Sequence, residues 1–377
     1  MINFWSYKRE YKKINKKLLK KIDNVLIKGD IFFGNELKSF EKNFLAKYKS
    51  HYGIAVGSGT DALYISLKAL NIKYGDEVIT AANTAIPTIS AIVNSGAIPK
   101  LVDVGEDYLI DPLKIERMIT KKTKVIIPVH LYGQSCDMDK IKKIANRYKL
   151  KIIEDCAQAQ GAKYKNQFVG NLGDFGCFSF YPTKILGAYG DGGFIVTKKL
   201  KSYEEIKRLR FYGIETLNKK NIYFNKYYSN QNGMNSRLDE IQSSILNFKL
   251  KNLNSYILRR KKIANLYEKY LKNTDLQLPK INKNNSHVYH LYTVRHPKRE
   301  QIIDLLNKKK IVTRIIYPYP INKMNAYKRF NFNDKELKNS VNYSKEIFSL
   351  PLYPELKNSE IKIICLELIK ILKKLTK

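Results

Sequence analysis

Apolar positions along the first 250 residues alternate between helical and strand spacing. Apolar residues spaced three and four apart predict one helix over residues 10–28 and a second over residues 36–48. Short and nearly continuous apolar runs then alternate with further helical patterns. Such runs are typical of parallel strands that are covered by helices on both faces. The pattern therefore predicts an α/β fold for this part of the chain.

Small and polar residues follow the ends of the predicted strands. Because ligands bind beyond the carboxyl ends of strands in open α/β sheets, these residues are candidates for a functional site. They include the turn 57–60, His130 and Asp155. The first expected strand ends at Val56, just before this turn. The other expected strands span residues 77–80, 99–103, 124–129 and 151–154.

Capping patterns predict two further helix starts. Asp111 followed by Pro112 is typical of an N-cap and a first helical residue, so a helix is expected there. The capping box from Ser236 to Asp239 predicts another helix that opens at residue 236.

After residue 250 the chain becomes rich in lysine, and its pattern changes to α+β. We therefore predict a large domain over residues 1–250 and a smaller α+β domain over residues 251–377, which the first helix is expected to join. The elements expected in the smaller domain are helices 255–272 and 300–308, strands 289–294 and 311–315, and terminal helices.

One lysine, Lys184, lies in an unusual setting. Aromatic, proline and aliphatic residues surround it in the segment DFGCFSFYPTKILGAYGDGG, residues 174–193. Burial lowers the pKa of a lysine and leaves a neutral amine that can attack a carbonyl, which is the chemistry of a Schiff-base lysine. A lysine that reaches past an aromatic-rich loop to solvent is the alternative, and this segment alone does not decide between them.

Several other positions suit a phosphorylated cofactor. The Gly-Ser-Gly-Thr turn, residues 57–60, leads from a strand into a helix, where free backbone N–H groups bind anions. An acid at Asp155 can pair with a protonated ring nitrogen, and Gln158 can point the same way. Ser179 can donate to a phosphate. The alternatives are a plain strand-to-helix connection, a helix N-cap and a buried hydroxyl bonded to backbone.

The chain carries 69 basic and 34 acidic residues, a formal net charge of +35. A charge of this size raises the hypothesis of nucleic-acid or membrane-surface binding. However, the basic residues are mostly lysines scattered along the chain, and no nucleic-acid-binding motif accompanies them. A solvated surface that attracts anionic substrates is therefore favoured.

Cysteine and histidine spacing indicates neither a disulfide framework nor a metal site. The four cysteines show no CxxC pair, and the five histidines show no metal-ligand spacing. No window is apolar enough for a membrane helix, and the first residues show no signal-peptide pattern. We therefore expect a cytoplasmic protein with no metal, no nucleic-acid partner and no membrane insertion.

Taken together, these motifs resemble those of the sugar-nucleotide aminotransferases of the DegT/DnrJ group, pyridoxal 5'-phosphate (PLP) enzymes of fold type I. The resemblance covers nearly the whole chain. It implies a mostly parallel seven-stranded sheet flanked by helices, a smaller α+β C-terminal domain, and a homodimer with shared active sites. The stretches that carry it are VGSGTDAL, GDEVIT, PVHLYGQ, IIEDCAQAQGA, FSFYPTKILGAYGDGG, NSRLDEIQSSIL and FSLPLYPEL.

The resemblance also implies roles for individual residues. Lys184 would be the Schiff-base lysine of the cofactor. Asp155 would pair with the pyridine nitrogen, and Gln158 would contact the phenolic oxygen of the ring. The phosphate would be bound by Gly59, Thr60 and Ser179, with Asn235 from the neighbouring subunit. The substrate would be bound by Arg210, Tyr212 and Tyr317.

By the same resemblance, an amino group would pass from L-glutamate to a nucleotide-linked keto-sugar in two half-reactions. Lys184 would move a proton between the donor's Cα and the cofactor. The ANTAIPT and YPTKILGAYGDGG segments are most similar to the subgroup that aminates C3 of nucleotide-linked 3-keto-6-deoxyhexoses. The expected product is a dTDP-3-amino-3,6-dideoxyhexose for surface glycans such as lipopolysaccharide. A 4-keto-sugar aminotransferase and a PLP-binding regulator without amino transfer are the alternatives.

Four positions depart from the family pattern, and the missing histidines among them favour the regulatory alternative. Relatives often have a stacking aromatic residue at position 85 and histidines at 160, 316 and 322, where this chain has Ala85, Gln160, Ile316 and Asn322. The polar and aromatic segment 214–234 is expected to pack over the sugar nucleotide, with a solvated loop as the alternative.

Overall fold

The structure, a computed structural model that describes residues 1–214 and 228–376, confirms the α/β fold with a seven-stranded sheet. The sheet strands are β1 (Tyr52–Val56), β2 (Glu77–Ala81), β3 (Ile98–Val102), β4 (Thr123–Ile127), β5 (Lys151–Asp155), β8 (Phe175–Ser179) and β9 (Gly193–Thr197). A two-stranded ribbon, β6 (Lys163–Tyr164) and β7 (Gln167–Phe168), lies outside the sheet.

The sheet is mostly parallel, as expected. Its strand order is β1-β9-β8-β5-β4-β2-β3, and β9 alone pairs antiparallel with its neighbours. The carboxyl ends of the other six strands therefore meet at one edge of the sheet. This arrangement brings residues that are far apart in sequence, such as Gly59, Asp155 and Ser179, to the same place.

Helices cover both faces of the sheet. The helices before and among its strands are α1 (Tyr7–Lys28), α2 (Asn35–Tyr48), α3 (Gly59–Ala69), α4 (Ile86–Asn94), α5 (Met138–Arg147), α6 (Leu200–Leu209) and α7 (Glu240–Leu250). In α2 the apolar side chains of Leu37, Phe40, Phe44 and Tyr48 share one buried face. The Phe44 ring contacts that of Phe194 in β9, with 4.3 Å between the ring centres, so α2 is packed directly against the sheet.

The C-terminal part of the chain contains a second small sheet. Its elements are α8 (Leu253–Leu271), β10 (Tyr292–Arg295), α9 (Arg299–Lys308), α10 (Lys338–Glu346), β11 (Ile347–Leu350) and α11 (Asn358–Thr376). Strands β10 and β11 pair antiparallel and lie in a separate apolar cluster that includes Ile2 from the start of the chain. Ile321 and Tyr327, however, pack in the cluster beneath β2 and α4. The domain division at residue 250 stays a prediction.

The first helix bridges the two regions. Arg9 donates to both carboxylate oxygens of Glu360, at 2.7 and 2.6 Å, and the ring of Trp5 packs against that of Tyr353. On its other side, Glu10 pairs with the Lys249 ammonium at 2.8 Å. The first helix thus contacts both the C-terminal region and α7, and its assignment to the smaller domain stays a prediction.

Three local predictions are wrong. The segment after Asp111 forms two short 3-10 turns, Pro112–Lys114 and Glu116–Met118, closed by bonds between residues three apart. Helix α7 begins at Glu240, because Asp239 caps it by accepting from the Gln242 N–H at 2.7 Å, while Ser236 lies outside the helix. Residues 311–315 form only isolated bridges, to Ile2 and Ser349, instead of a strand.

Candidate active site

A pocket of about 560 Å³ opens beyond the carboxyl ends of the parallel strands. It brings together most of the residues that the sequence singled out. The predicted site residues that line it are Gly59, Thr60, Asp155, Gln158, Ser179, Lys184 and Tyr317. All but Tyr317 come from the ends of β1, β5 and β8 and from the connections that follow them, as the α/β topology requires. Tyr317 comes from the C-terminal region, between α9 and α10.

The N-terminus of α3 forms one end of this pocket. Ser58 caps the helix by accepting from the Asp61 N–H at 3.0 Å, and the first-turn N–H groups of Gly59 and Thr60 have no intrahelical acceptor. Ser179 is close by: a Cβ added to Gly59 would lie 2.6 Å from the Ser179 Cβ. Only glycine allows this approach. The result is a cup of backbone N–H groups, a hydroxyl and a helix dipole that suits a phosphate.

Ser236 fixes the turn that carries this cup. Its hydroxyl accepts from the Gly57 N–H at 2.8 Å and donates to the Asp61 carboxylate at 2.6 Å. This explains why Ser236 does not cap α7. Its neighbour Asn235 is exposed and does not line the pocket of its own protomer. The expected contribution of Asn235 to a neighbouring subunit stays a prediction.

Asp155 is buried at the end of β5, and both of its carboxylate oxygens accept hydrogen bonds. Thr88 donates to one oxygen at 2.8 Å, and the Ala157 N–H donates to the other at 3.1 Å. The Thr84 hydroxyl lies 3.0 Å from the Thr88 hydroxyl and forms a hydrogen bond with it. Burial raises the pKa of Asp155, whereas these donors and the nearby Lys184 lower it. A cationic group in the pocket would therefore find a fixed carboxylate.

Lys184 lines the pocket and lies in the turn after β8. Its backbone N–H donates to Tyr181 O at 2.9 Å. The backbone at Gly187 passes so close to that of Pro182 that a Cβ on Gly187 would lie 2.3 Å from Pro182 O. Burial lowers the pKa of the Lys184 amine from 10.5 to about 8, and Asp155 partly opposes this shift. Near neutral pH a useful fraction of the amine is uncharged and nucleophilic.

Gln158 and Tyr317 form a polar pair on the pocket wall. The Gln158 side chain accepts from the Tyr132 N–H at 2.8 Å and donates to the Tyr317 hydroxyl at 2.9 Å. Burial and the Asp155 charge raise the pKa of Tyr317, so its hydroxyl stays protonated and remains able to donate. The pair fixes two hydrogen-bonding groups beside the pocket.

The four departures from the family pattern differ in their positions. Ala85 and Ile316 line the pocket. Gln160 is fully buried, and its amide donates to Ser179 O at 2.6 Å. Asn322 donates to the Asp334 carboxylate at 2.6 Å. Gln160 thus holds the end of β8 rather than contacting a ligand, and Asn322 points to a surface acid.

Two of the predicted substrate-binding residues do not line this pocket. The Arg210 guanidinium donates to the Glu41 carboxylate and to Ala55 O, both at 2.9 Å, and packs over the Phe33 ring. Tyr212 is about half exposed. Most of the segment expected to cover the sugar nucleotide, residues 215–227, lies outside the described residues. A substrate role for Arg210 and Tyr212 therefore stays a prediction.

Two residues in or next to the pocket were missed from the sequence. Thr88 holds Asp155 from α4, and His290 lines the pocket from the segment before β10. Neither position has a local signal, because each reaches the site through a long-range contact. For His290, the only sequence feature that points to a functional role is the pair of histidines in HVYHLY, residues 287–292.

A buried group of His130, Glu154 and Cys156 has ligand atoms close enough together for a metal ion. Hydrogen bonds account for this group instead. Glu154 accepts from the N–H groups of Gly170, Leu172 and Gly173 and from the His130 ring at 3.0 Å. The carboxylate is satisfied by these donors and holds the chain that precedes β8. None of the described helices is both long and apolar enough to cross a membrane.

Comparison with known proteins gives consistent matches over nearly the whole chain. The family model described as the DegT/DnrJ/EryC1/StrS aminotransferase family matches residues 12–369. The chain is 41% identical over 363 residues to dTDP-3-amino-3,6-dideoxy-alpha-D-galactopyranose transaminase of Aneurinibacillus thermoaerophilus, covering 96% of this chain and 97% of that protein. It is 39% identical over 358 residues to dTDP-3-amino-3,4,6-trideoxy-alpha-D-glucose transaminase of Micromonospora megalomicea subsp. nigra, covering 93% and 94%. Among solved structures, S. venezuelae DesV is similar with a TM-score of 0.93 at 34% identity, covering 98% of both chains.

Proposed function

Because the chain belongs to the DegT/DnrJ/EryC1/StrS aminotransferase family, we propose that it transfers an amino group from L-glutamate to C3 of a dTDP-linked 3-keto-6-deoxyhexose. It is a PLP-dependent sugar-nucleotide aminotransferase. The observation that carries the finer assignment is that both relatives described above are named as transaminases of dTDP-3-amino deoxysugars. The product would be a dTDP-3-amino-3,6-dideoxyhexose for surface glycans such as lipopolysaccharide.

The pocket residues fit PLP in charge and in space. Gly59, Thr60 and Ser179 form a cup for the phosphate, and Asp155 offers a buried carboxylate to the ring nitrogen. Lys184 offers an amine of lowered pKa to the aldehyde. The chemistry that bound PLP supplies is an electron sink for the negative charge left when a proton leaves Cα.

Lys184 is the group that moves protons in this proposal. In the first half-reaction its amine removes the proton from Cα of L-glutamate. In the second it delivers a proton to the sugar carbon that receives the amino group. Its lowered pKa suits both directions, because the neutral amine and the ammonium are both populated near pH 8. Asp155 stays ionised opposite a cation, and Gln158 and Tyr317 orient the bound groups.

The pocket wall supports a 6-deoxysugar. Its lining includes the apolar residues Ala85, Ile86, Ile316 and Met324. A methyl group at C6 can be buried against these residues without losing any hydrogen bond to water. A C6 hydroxyl buried there would lose such hydrogen bonds. Two of the departures from the family pattern, Ala85 and Ile316, therefore favour this substrate class rather than loss of activity.

The test of the function is to incubate the enzyme and PLP with L-glutamate and dTDP-linked 3-keto- or 4-keto-6-deoxyhexose. We expect a dTDP-amino sugar from the 3-keto substrate, with the amino group placed at C3 by NMR. The matched sugar with a C6 hydroxyl should react at least about tenfold less well in kcat/KM. Amination at C4 would establish the 4-keto alternative. PLP absorbance unmoved by L-glutamate or L-glutamine would point to the regulatory alternative.

We further propose a cytoplasmic homodimer with shared active sites. The four cysteines are free and buried, which suits a reducing compartment. Beside Asn235 and the phosphate cup lies an apolar surface in which Phe32, Phe33, Tyr212 and Tyr228 are between 37% and 64% exposed. An aromatic surface of this kind is typical of a subunit interface. A twofold contact here would place Asn235 of each subunit near the other's cup.

Mixing inactive variants tests the shared site. Refolding Lys184→Ala together with Asn235→Asp, whose added charge repels a phosphate, should restore activity to about one quarter of wild type. Half of the dimers are hybrids, and each hybrid has one site with Lys184 and Asn235 both intact. Activity is measured as amino-sugar formation at a one-to-one ratio.

The matched control is Lys184→Ala mixed with Asp155→Ala. These residues belong to the same protomer's pocket, so no hybrid has an intact site and no recovery is expected. Equal recovery in both mixtures, or none in the first despite a dimeric mass, would contradict the contribution of Asn235 across the interface.

A further inference from the structure

The His290 ring is buried at the pocket without a protein partner. The residue is 5% exposed, lines the pocket, and its Nδ1 atom is sealed from solvent without a hydrogen bond. Its backbone, by contrast, is held firmly: Arg260 donates to His290 O at 3.1 Å, and the next residue, Leu291, donates to Tyr132 O at 3.2 Å. The backbone is thus fixed, and the buried ring nitrogen is available to a group in the pocket.

Lys184 and His290 are the only basic side chains of the described residues that line this pocket. Burial lowers the pKa of His290, and the nearby Lys184 charge lowers it further. Arg260 and His287 act in the same direction. The acids lining the same pocket are Asp155 and Asp191. The imidazole is therefore neutral, with one donor and one acceptor nitrogen to offer.

We propose that His290 is a positioning residue for Lys184, and that its neutral imidazole holds the lysine amine by a hydrogen bond while that amine carries the transferred proton. The proposal rests on the proposed function and deepens it. A second cation there would repel the ammonium form of Lys184, whereas a neutral ring accepts a hydrogen bond from it. An apolar residue would leave the amine without a partner between the two proton transfers.

The first test is His290→Leu, which keeps the apolar volume and removes both nitrogens. We expect kcat to fall about 10- to 100-fold, the range for losing one hydrogen bond to a charged group, with KM changed less than about twofold. PLP should remain bound, as measured by its absorbance. His290→Gln keeps a donor and an acceptor and should recover part of kcat. His51→Gln, at an exposed histidine, is the matched control and should match wild type.

The second test needs no activity. NMR spectra of ring-¹⁵N histidine in the PLP-free protein, with His290 assigned by the loss of its signal in His290→Gln, report the ionisation of the ring. In wild type the ring should stay neutral at pH values below the ordinary histidine pKa of 6.5. In Lys184→Ala its pKa should rise, because the repelling ammonium is gone. The control Lys201→Ala removes an exposed lysine and should leave the His290 signal unchanged.

Three results would overturn the proposal. One is a His290 signal that is the same in wild type and Lys184→Ala. Another is kcat within twofold of wild type in His290→Leu. The third is a His290→Leu or His290→Gln variant that loses PLP together with activity, which is the result of a purely structural role. If His290→Leu does not fold, His290→Gln and the NMR comparison decide. If no keto-sugar is aminated by wild type, the proposed function fails while the NMR result stands separately.

Discussion

Lys184→Ala is expected to abolish detectable amino transfer, lowering kcat by about 10⁴-fold, because this amine is the group that moves the proton to and from carbon. The folded structure should be retained, since the Lys184 turn is held by its backbone: the Lys184 N–H bonds Tyr181 O, and the Ala188 N–H bonds Phe180 O at 2.8 Å. The measurement is single-turnover formation of 2-oxoglutarate from L-glutamate. Millimolar methylamine should restore a small part of the rate by supplying a free base.

Lys201→Ala on α6 is the matched control, because it removes an exposed lysine, and it should react like wild type. The lowered pKa can be checked in the PLP-free protein with an amine-specific reagent and mass spectrometry. Modification of Lys184 should increase through about pH 8, whereas an ordinary lysine requires a pH near 10.5. Full single-turnover activity in Lys184→Ala would show that another group moves the proton.

Asp155→Asn is expected to lower kcat by about 10²- to 10³-fold while PLP stays bound, because a neutral amide cannot stabilise a protonated ring nitrogen. The replacement fits the site. One oxygen can still accept from the Ala157 N–H, and Thr88 can turn its hydroxyl toward Thr84, 3.0 Å away. Both the bound PLP absorbance and the rate of 2-oxoglutarate formation should be measured.

Thr88→Val is the control for Asp155→Asn. It removes one donor to the carboxylate and keeps the charge, so its kcat should fall by less than about tenfold. If Asp155→Asn and Thr88→Val were equally active, the charge of Asp155 would not matter. Loss of PLP from Asp155→Asn would instead assign this residue to cofactor binding alone.

The parts of the site that could be predicted lie next to strong local patterns. Asp155 directly follows an apolar run, and Gly59 lies between a strand and a helix, so strand ends and ligand positions could be deduced together. The surroundings of Lys184 are also local, since the aromatic and glycine residues around it are neighbours in sequence. Each of these residues lies at or just after the end of a strand, and this alone places it at the edge of the sheet where the ligand binds.

The parts that were missed depend on contacts between distant residues. His290 reaches the pocket because Val288 and Leu291 bond to Gly133 and Tyr132, more than 150 residues earlier. Ser236 fits a capping box, yet its hydroxyl is taken by Gly57 and Asp61. Sequence spacing reports what a residue can do within its own element, and it does not report a partner that folding brings from elsewhere.

The contacts of the first helix have a consequence for the order in which the chain folds. Ile2 and Arg9 are made before the sheet strands, but their partners Ile311 and Glu360 are made more than 300 residues later than they are. The central sheet can form during synthesis from segments that are complete by residue 197. The apolar cluster around β10 and β11, in contrast, must wait for almost the whole chain, and closing such a long loop is slow. We infer that the PLP pocket, which needs His290 and Tyr317, is completed only after the central sheet has formed and the C-terminal region has been made.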